Sequence, residues 1–536
     1  MAPLPSTSHT PAHPRRRLLS LFLPLLLLAL ASASGAAASP SRAATPEPEP
    51  TATVTGAPSP EPTATVSPTP TPTPTPTPPA VVIQPGSGLN AQFGYAPPFT
   101  RNVPAFDASG AAYIRSRSAD PDYTGFVQTW RDGAWRRLDL VGALRAAYPD
   151  YNGTQGGGGG PAARVFFDLQ DRAYTVVTIR LRGDGVRNVL LWSADHCTTW
   201  RAADLPDGEI VPESFTGHNV TDGPPPLLIG RVAARVSPET GKLVRELWIT
   251  RPTIAGGDVA VPEPVLVSER SLSLGDGATT ASPLATRGDI TWIAYVETTP
   301  RPGQGSPVSV VPFDRRTATL GRPVLLAWSQ LGNDGHAQPG IALDSQGYLH
   351  LVAGAHGRPF QYRRSLVPLT CYEGWSQLED VCSTGYRVRP LGPQEGRQTY
   401  LAFVIDAQDR LHIAYRQWRK DCEPTLGGKM YGALSYQRRD PVTGWTEPRI
   451  LVVPPYREYA IYAQALTVDP RGRLFVSASC MAGAEGSDRK AQVERWKQSG
   501  RDGPQPPLYL RRMVLVSPDG GDTWRFAESA DLAAGP

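Results

Sequence analysis

The 536-residue sequence predicts an all-β fold: a seven-bladed β-propeller preceded by a signal peptide and a disordered Thr/Pro-rich stalk. Three observations carry this. The chain holds 52 Gly and 57 Pro but only 4 Met, a mix that favours many turns and short strands over long helices. A short turn pattern recurs at a nearly constant interval. Several of the units it defines close with a tryptophan.

At the N-terminus, Arg15, Arg16 and Arg17 precede an apolar run over 18–30, and small residues follow around Ala36, Ala37 and Ala38. Positive region, apolar region and small-residue cleavage site together predict a signal peptide over 1–38. An uncleaved anchor is the alternative, against which the run is short for a bilayer span. Residues 39–80 are mostly Thr, Pro, Ala, Ser and Glu, with alternating Thr-Pro towards the end. Such a segment has nothing to bury and favours extended polyproline II geometry, which predicts a disordered linker. The propeller is expected over 81–536. The protein is therefore expected to be secreted or displayed at the extracellular surface, as a monomer.

A formal net charge of +4 and the lack of a dense Lys/Arg tract in the body argue against a nucleic-acid partner. Five Cys, at 197, 371, 382, 422 and 480, suggest disulfides in an exported chain. Cys371 with Cys382 is the expected local clasp, Cys422 with Cys480 the second pair, and Cys197 the odd thiol. No tight Cys-x-x-Cys or His-x-x-x-His spacing supports metal ligation instead.

The repeat is an apolar residue, Asp, two turn residues, Gly or Asp, then an alternating strand. It starts at Phe106-Asp107, Phe167-Asp168, Leu343-Asp344, Ile405-Asp406 and Val468-Asp469, with weaker copies at 238–241 and 285–288. The strong copies are spaced 61, 62 and 63 residues apart (107 to 168, 344 to 406, 406 to 469). The interval from 168 to 344 accommodates three units and completes seven. Trp135, Trp200, Trp375, Trp445 and Trp524 close units. Four-stranded units with this turn chemistry and a recurring aromatic predict propeller blades.

If each Asp turn joins the first two strands of a blade, the start of the first strand and the end of the second meet at the opposite rim. In the fifth unit those positions hold His336 and His356; in the sixth, Tyr400 and Arg416. Each alone also reads as a packed or surface residue, and their coincidence on one rim makes them the candidate catalytic set. His350 and His412 instead lie six residues after their repeat Asp, where other units hold Tyr113, Tyr174, Thr291 and Phe475, and are expected to pack in mid-strand. His196 and His218 read as loop residues.

Two His, a Tyr and an Arg suit removal of the proton α to a uronate carboxylate. Arg and a donating His neutralise the carboxylate; Tyr or His takes the proton and returns one to the leaving oxygen. A nearby Arg also favours the tyrosinate. The reaction is β-elimination from an acidic polysaccharide and requires no metal or cofactor.

Two stretches carry a family resemblance. Ser517-Pro-Asp519-Gly-Gly521-Asp-Thr523-Trp524 and, with Cys197 for Gly, Ser193-Ala-Asp195-His-Cys197-Thr-Thr199-Trp200 resemble the Asp-box of sialidase-like, BNR-repeat propellers. There the box braces a hairpin and implies no catalysis. Asp334-Gly-His336, Pro339, Asp344, Gly347, His350, His356 and Tyr362-Arg363-Arg364-Ser365 resemble the BNR-repeat group that contains the seven-bladed ulvan lyases. Those enzymes carry a His–His pair, a Thr-Tyr and an Arg in the order found here. The resemblance implies Tyr400 as the proton-transfer residue and His336 as base or carboxylate partner. It implies that His356 and Arg416 hold the acidic group, with Tyr362, Arg363 and Arg364 as substrate-binding residues. It also implies a structural zinc, whose ligands are not identifiable; Cys422 and Cys480 are candidates.

Two other readings stay open. A sialidase-type exo-glycosidase needs a cluster of three Arg and a Tyr/Glu pair; Arg101 and the stretch Tyr456-Arg457-Glu458-Tyr459 do not make a full set. A non-catalytic glycan-binding propeller could use the same rim.

Overall fold

The computed structural model describes residues 81–82 and, with gaps, 104–532. The longer gaps are 116–125, 157–163, 275–280, 382–397, 420–430, 454–460 and 484–508. The expected signal peptide, the linker, His218, Cys382, Cys422, Arg101 and the 456–459 stretch lie outside the described residues, as does the side chain of Cys480.

Seven antiparallel blades follow one another along the chain. Their first strands are Ala105–Phe106, Phe166–Phe167, Glu209–Pro212, Leu284–Arg287, Gly340–Leu343, Gln398–Ile405 and Ile461–Val468. In the second blade Tyr151–Gly156 also pairs with the second strand, Ala173–Leu181, beyond the reach of the two-residue first strand. One α-helix, Val141–Ala147, lies among the described residues between the first two blades, and its Leu144 is buried. No helix among them is long and apolar enough to cross a membrane.

Each strand alternates its side chains between two faces, so every blade offers an apolar face to both neighbours. Seven buried clusters result, one for each pair of adjacent blades. The last pair closes the ring: Phe475 and Val514 of the seventh blade pack on Ala112 and Ile114 of the first. Phe106 meets Phe475 there at 5.1 Å between centroids.

The repeat Asp braces its hairpin. Asp406 accepts the backbone N–H of Arg410 at 2.9 Å and the Arg410 Nε–H at 2.7 Å. Its carboxylate also meets His412 Nε2 at 3.0 Å, while His412 Nδ1 meets the Tyr436 hydroxyl at 2.7 Å. His350 does the same between Asp344 and Tyr362, at 3.2 and 2.8 Å. Tyr174 donates its hydroxyl to Asp168 at 2.8 Å from the matching position. His350 and His412 are packing residues, as the repeat predicts, and burial pushes both below the usual imidazole range despite the Asp beside each.

Two expectations are corrected. The weak copy at 238–241 joins Leu227–Val236 to Leu243–Thr250, the second and third strands of its blade, not the first and second. The first hairpin of that blade is replaced by a long connection over 213–226. Its Glu213 directly follows the first strand, as the repeat Asp does in other blades, and accepts the Thr286 N–H at 2.9 Å. The second correction concerns Cys371, which is a buried free thiol rather than half of a clasp. It belongs to the buried cluster of Leu326, Leu349 and Leu351 between the fourth and fifth blades. Cys197, the expected odd thiol, is also buried and free. It holds the Gly position of its box at φ +67°, and its N–H donates to Ser193 Oγ at 2.9 Å. Gly521 makes the same bond to Ser517 at 2.7 Å.

Candidate active site at the rim of the fifth and sixth blades

The connection from the fourth to the fifth blade ends in a single 3₁₀ turn, Gly335–Ala337, capped by Asp334. The Asp334 carboxylate accepts the His336 N–H at 2.9 Å, and its Oδ1 lies 2.5 Å from His336 Nδ1. Its other oxygen lies 2.8 Å from His356 Nδ1. One carboxylate thus orients two imidazoles, whose centroids are 4.5 Å apart. Burial alone would raise the Asp334 pKa, but the hydrogen bonds from His336 and His356 hold it well below the usual carboxylate range. At neutral pH it is a full negative charge with both Nδ1 atoms directed at it.

His356 reaches this position because His356–Arg358 leaves the fifth blade and pairs with the first strand of the sixth, His356 opposite Thr399. The approach depends on Gly354: a Cβ there would lie 2.1 Å from the Gln338 carbonyl oxygen. The sixth blade supplies the rest. Between Thr399 and Ala402 the register of its first strand slips, and Tyr400 adopts φ +63°. A bulge of this kind re-aims one side chain. The Tyr400 ring lies 5.1 Å from that of His336. The Gln464 carboxamide donates to the Tyr400 carbonyl and holds the bulge. The Arg416 guanidinium carbon sits 4.4 Å from the Tyr400 ring centroid.

All four rim residues expected from the repeat therefore come together. Their accessibility differs. His336 and His356 are 23% and 31% exposed at the side chain, Tyr400 only 6% over the residue and Arg416 not at all. The expected carboxylate-holding Arg is instead the cationic floor under Tyr400. Tyr362, Arg363 and Arg364 are not brought to this rim. Tyr362 is buried against His350 and Trp445, and Arg364 pairs with Asp344 at 3.2 Å near the turn end of the fifth blade. Arg363 lies between them on the same strand, opposite Leu351. The residue missed from sequence is Asp334. Its signal was present as Asp-Gly-His, a capping carboxylate two positions before a candidate His.

Two groupings among the described residues could hold a metal: Asp334 with His336 and His356, and Asp107 with Asp171 and His196. Neither includes a cysteine. The first opens on the rim, whereas structural zinc sites are closed, usually with cysteine ligands. The described residues thus do not fit the structural zinc that the resemblance implies.

Residues 301–488, which span this site, match the model of the BNR repeat-containing family. The match includes the fifth and sixth blades whole. No curated protein matches the chain. Among solved structures, an ulvan lyase of a polysaccharide lyase family is 14% identical at a TM-score of 0.31, over 45% of this chain and 52% of that one. A Penicillium chrysogenum alpha-L-arabinanase complexed with arabinobiose is 12% identical at 0.34, over 59% and 87%. A Trypanosoma rangeli sialidase in complex with sialic acid is 10% identical at 0.37, over 78% and 60%. This chain spans about half the length of the ulvan lyase.

Proposed function

We propose that the BNR-repeat propeller is a carbohydrate-active protein whose blade-five and blade-six rim cleaves a uronate-containing glycan by β-elimination. One observation carries the reading: a single carboxylate aligns two partly exposed imidazoles beside a Tyr whose ring lies on a buried guanidinium. In this scheme Tyr400 removes the proton α to the uronate carboxylate. The electron pair left behind forms the new C=C bond as the glycosidic C–O bond breaks, and a proton is returned to the leaving oxygen. Asp334 fixes both His with Nδ1 inward, which turns the Nε2 edge of each ring away from it to meet the acidic group. Arg416 touches no substrate; its charge beneath the Tyr400 ring offsets negative charge that develops on the phenol. No step needs a bound metal.

The test is absorbance of the unsaturated product from a panel of uronate-containing polysaccharides. Tyr400→Phe is expected to lower the rate by roughly 100-fold or more with glycan binding retained. Full activity in that variant rejects the assignment, and release of free sialic acid from a sialoside rejects the lyase. The low exposure of Tyr400 favours one second reading, a glycan-binding propeller that meets its ligand through His336 and His356 alone. Saturable binding with no product from any glycan in the panel identifies it. The N-terminal 1–38 segment supports action outside the cytoplasm, checked by N-terminal sequencing of the exported protein.

A further inference from the structure

At the end of the ring that carries the Asp turns, opposite the site above, a cavity of about 340 Å³ opens among the first, second, third, sixth and seventh blades. The connection over 213–226 lies across this end. Asn219 exchanges two hydrogen bonds with the Leu343 backbone of the fifth blade, at 2.8 and 3.0 Å. Gly217 lies against the Ile405 carbonyl of the sixth, leaving no room for a Cβ. Leu169 of the second blade donates its N–H to the Thr221 carbonyl at 2.9 Å.

Arg164 lines this cavity at 7% exposure. Its Nε and Nη2 have no hydrogen-bond partner, and no carboxylate among the described residues lies within ion-pair distance of it. Burial pushes its pKa down to about 10. Ser214 Oγ, in the same wall, is likewise buried without a partner. Asp469, the carboxylate in the lining, is already held by Arg473 at 2.6 Å. An uncompensated buried charge is unfavourable, so a guanidinium placed this way is a site for an anion. The rest of the lining mixes apolar residues, among them Phe106, Phe166, Phe167, Phe215 and Val220, with Thr216 and Thr467.

We propose that this cavity binds a small organic carboxylate with an apolar body, its carboxylate on Arg164 and Ser214 and its body against the phenylalanines. The site is separate from the rim and does not rest on the lyase reading. Arg presents a planar fork that matches a carboxylate in two-point contact, and the aromatic wall selects against a bare inorganic ion.

Isothermal titration of the purified protein with benzoate tests it, with benzyl alcohol and sulfate as comparison probes. One saturable benzoate site per chain is expected, with no binding of benzyl alcohol and weaker binding of sulfate. Arg164→Met is expected to abolish benzoate binding and, by removing an unpaired buried charge, to raise the melting temperature of the unliganded protein. Ser214→Ala, which removes one hydroxyl, is expected to weaken binding about tenfold and decides the matter if Arg164→Met does not fold. Absence of saturable benzoate binding overturns the proposal. So does benzoate binding unchanged in the variant that folds, or sulfate binding tighter than benzoate.

Discussion

At Tyr400 a left-handed backbone, a slipped strand register and a cation beneath the ring occur together. Positive φ costs a non-glycine residue roughly 1–2 kcal/mol, and the Gln464 carboxamide on its carbonyl offsets part of this. The strain has a use, because a regular strand would not set the ring against His336. Asp334 is the second residue of this kind. It acts through the two imidazoles rather than on substrate, so Asp334→Asn is expected to lower kcat by roughly 100-fold through misplacement. KM should change little. An equal change in kcat and KM, or none in either, argues against the positioning role.

At the level of the blade, one motif does two jobs. The Asp turn fixes each first hairpin, and in doing so it places the ends of both strands at the rim. Asp406 illustrates the energetics: buried between Arg410 and His412, it has its pKa pulled down to about 2 against burial by His412 first and Arg410 after it. Asp406→Ala leaves His412 without its acceptor and is expected to cost roughly 3–5 kcal/mol, read as a lowered denaturation midpoint. Gly354→Ala acts elsewhere, by pushing the His356 loop off the Gln338 carbonyl. Overpacking of this sort costs roughly 1–3 kcal/mol, and product formation should fall further than stability does. Wild-type activity in a folded Gly354→Ala protein would show that the close approach is unnecessary.

Across the whole ring, two of the shifted carboxylates act on stability in opposite directions. Glu213 is fully buried where the 213–226 connection begins, and burial raises its pKa from 4.5 to about 7 against the Thr286 hydrogen bonds and Arg251. A raised carboxylate contributes stability that is complete below the ordinary value and is lost as pH rises through the folded one. Stability should therefore decline between pH 4.5 and about 7 and then level off. Asp406 runs the other way: its contribution is present above 3.8 and is lost as pH falls towards about 2. For these two groups the melting temperature should peak between the two windows. Glu213→Gln should flatten the upper limb alone, and a variant that leaves it unchanged would assign that limb to another group.

The sequence by itself determined the blade number, because a turn that needs Asp and a tight bend recurs at a fixed interval whatever surrounds it. It also separated His350 and His412 from His336 and His356, since position within a repeat fixes which end of a strand a residue occupies. Where the repeat decays the sequence misled: 238–241 has the composition of the turn but sits one hairpin later. Tertiary structure alone decided three things. It brought His356 onto the sixth blade by a strand crossing between blades, a pairing no local pattern encodes. It buried Arg416 under Tyr400 and Tyr362 behind His350, because burial follows from neighbouring blades rather than from residue type. And it left Arg164 without a partner in a cavity that four other blades help to build, a property of the closed ring.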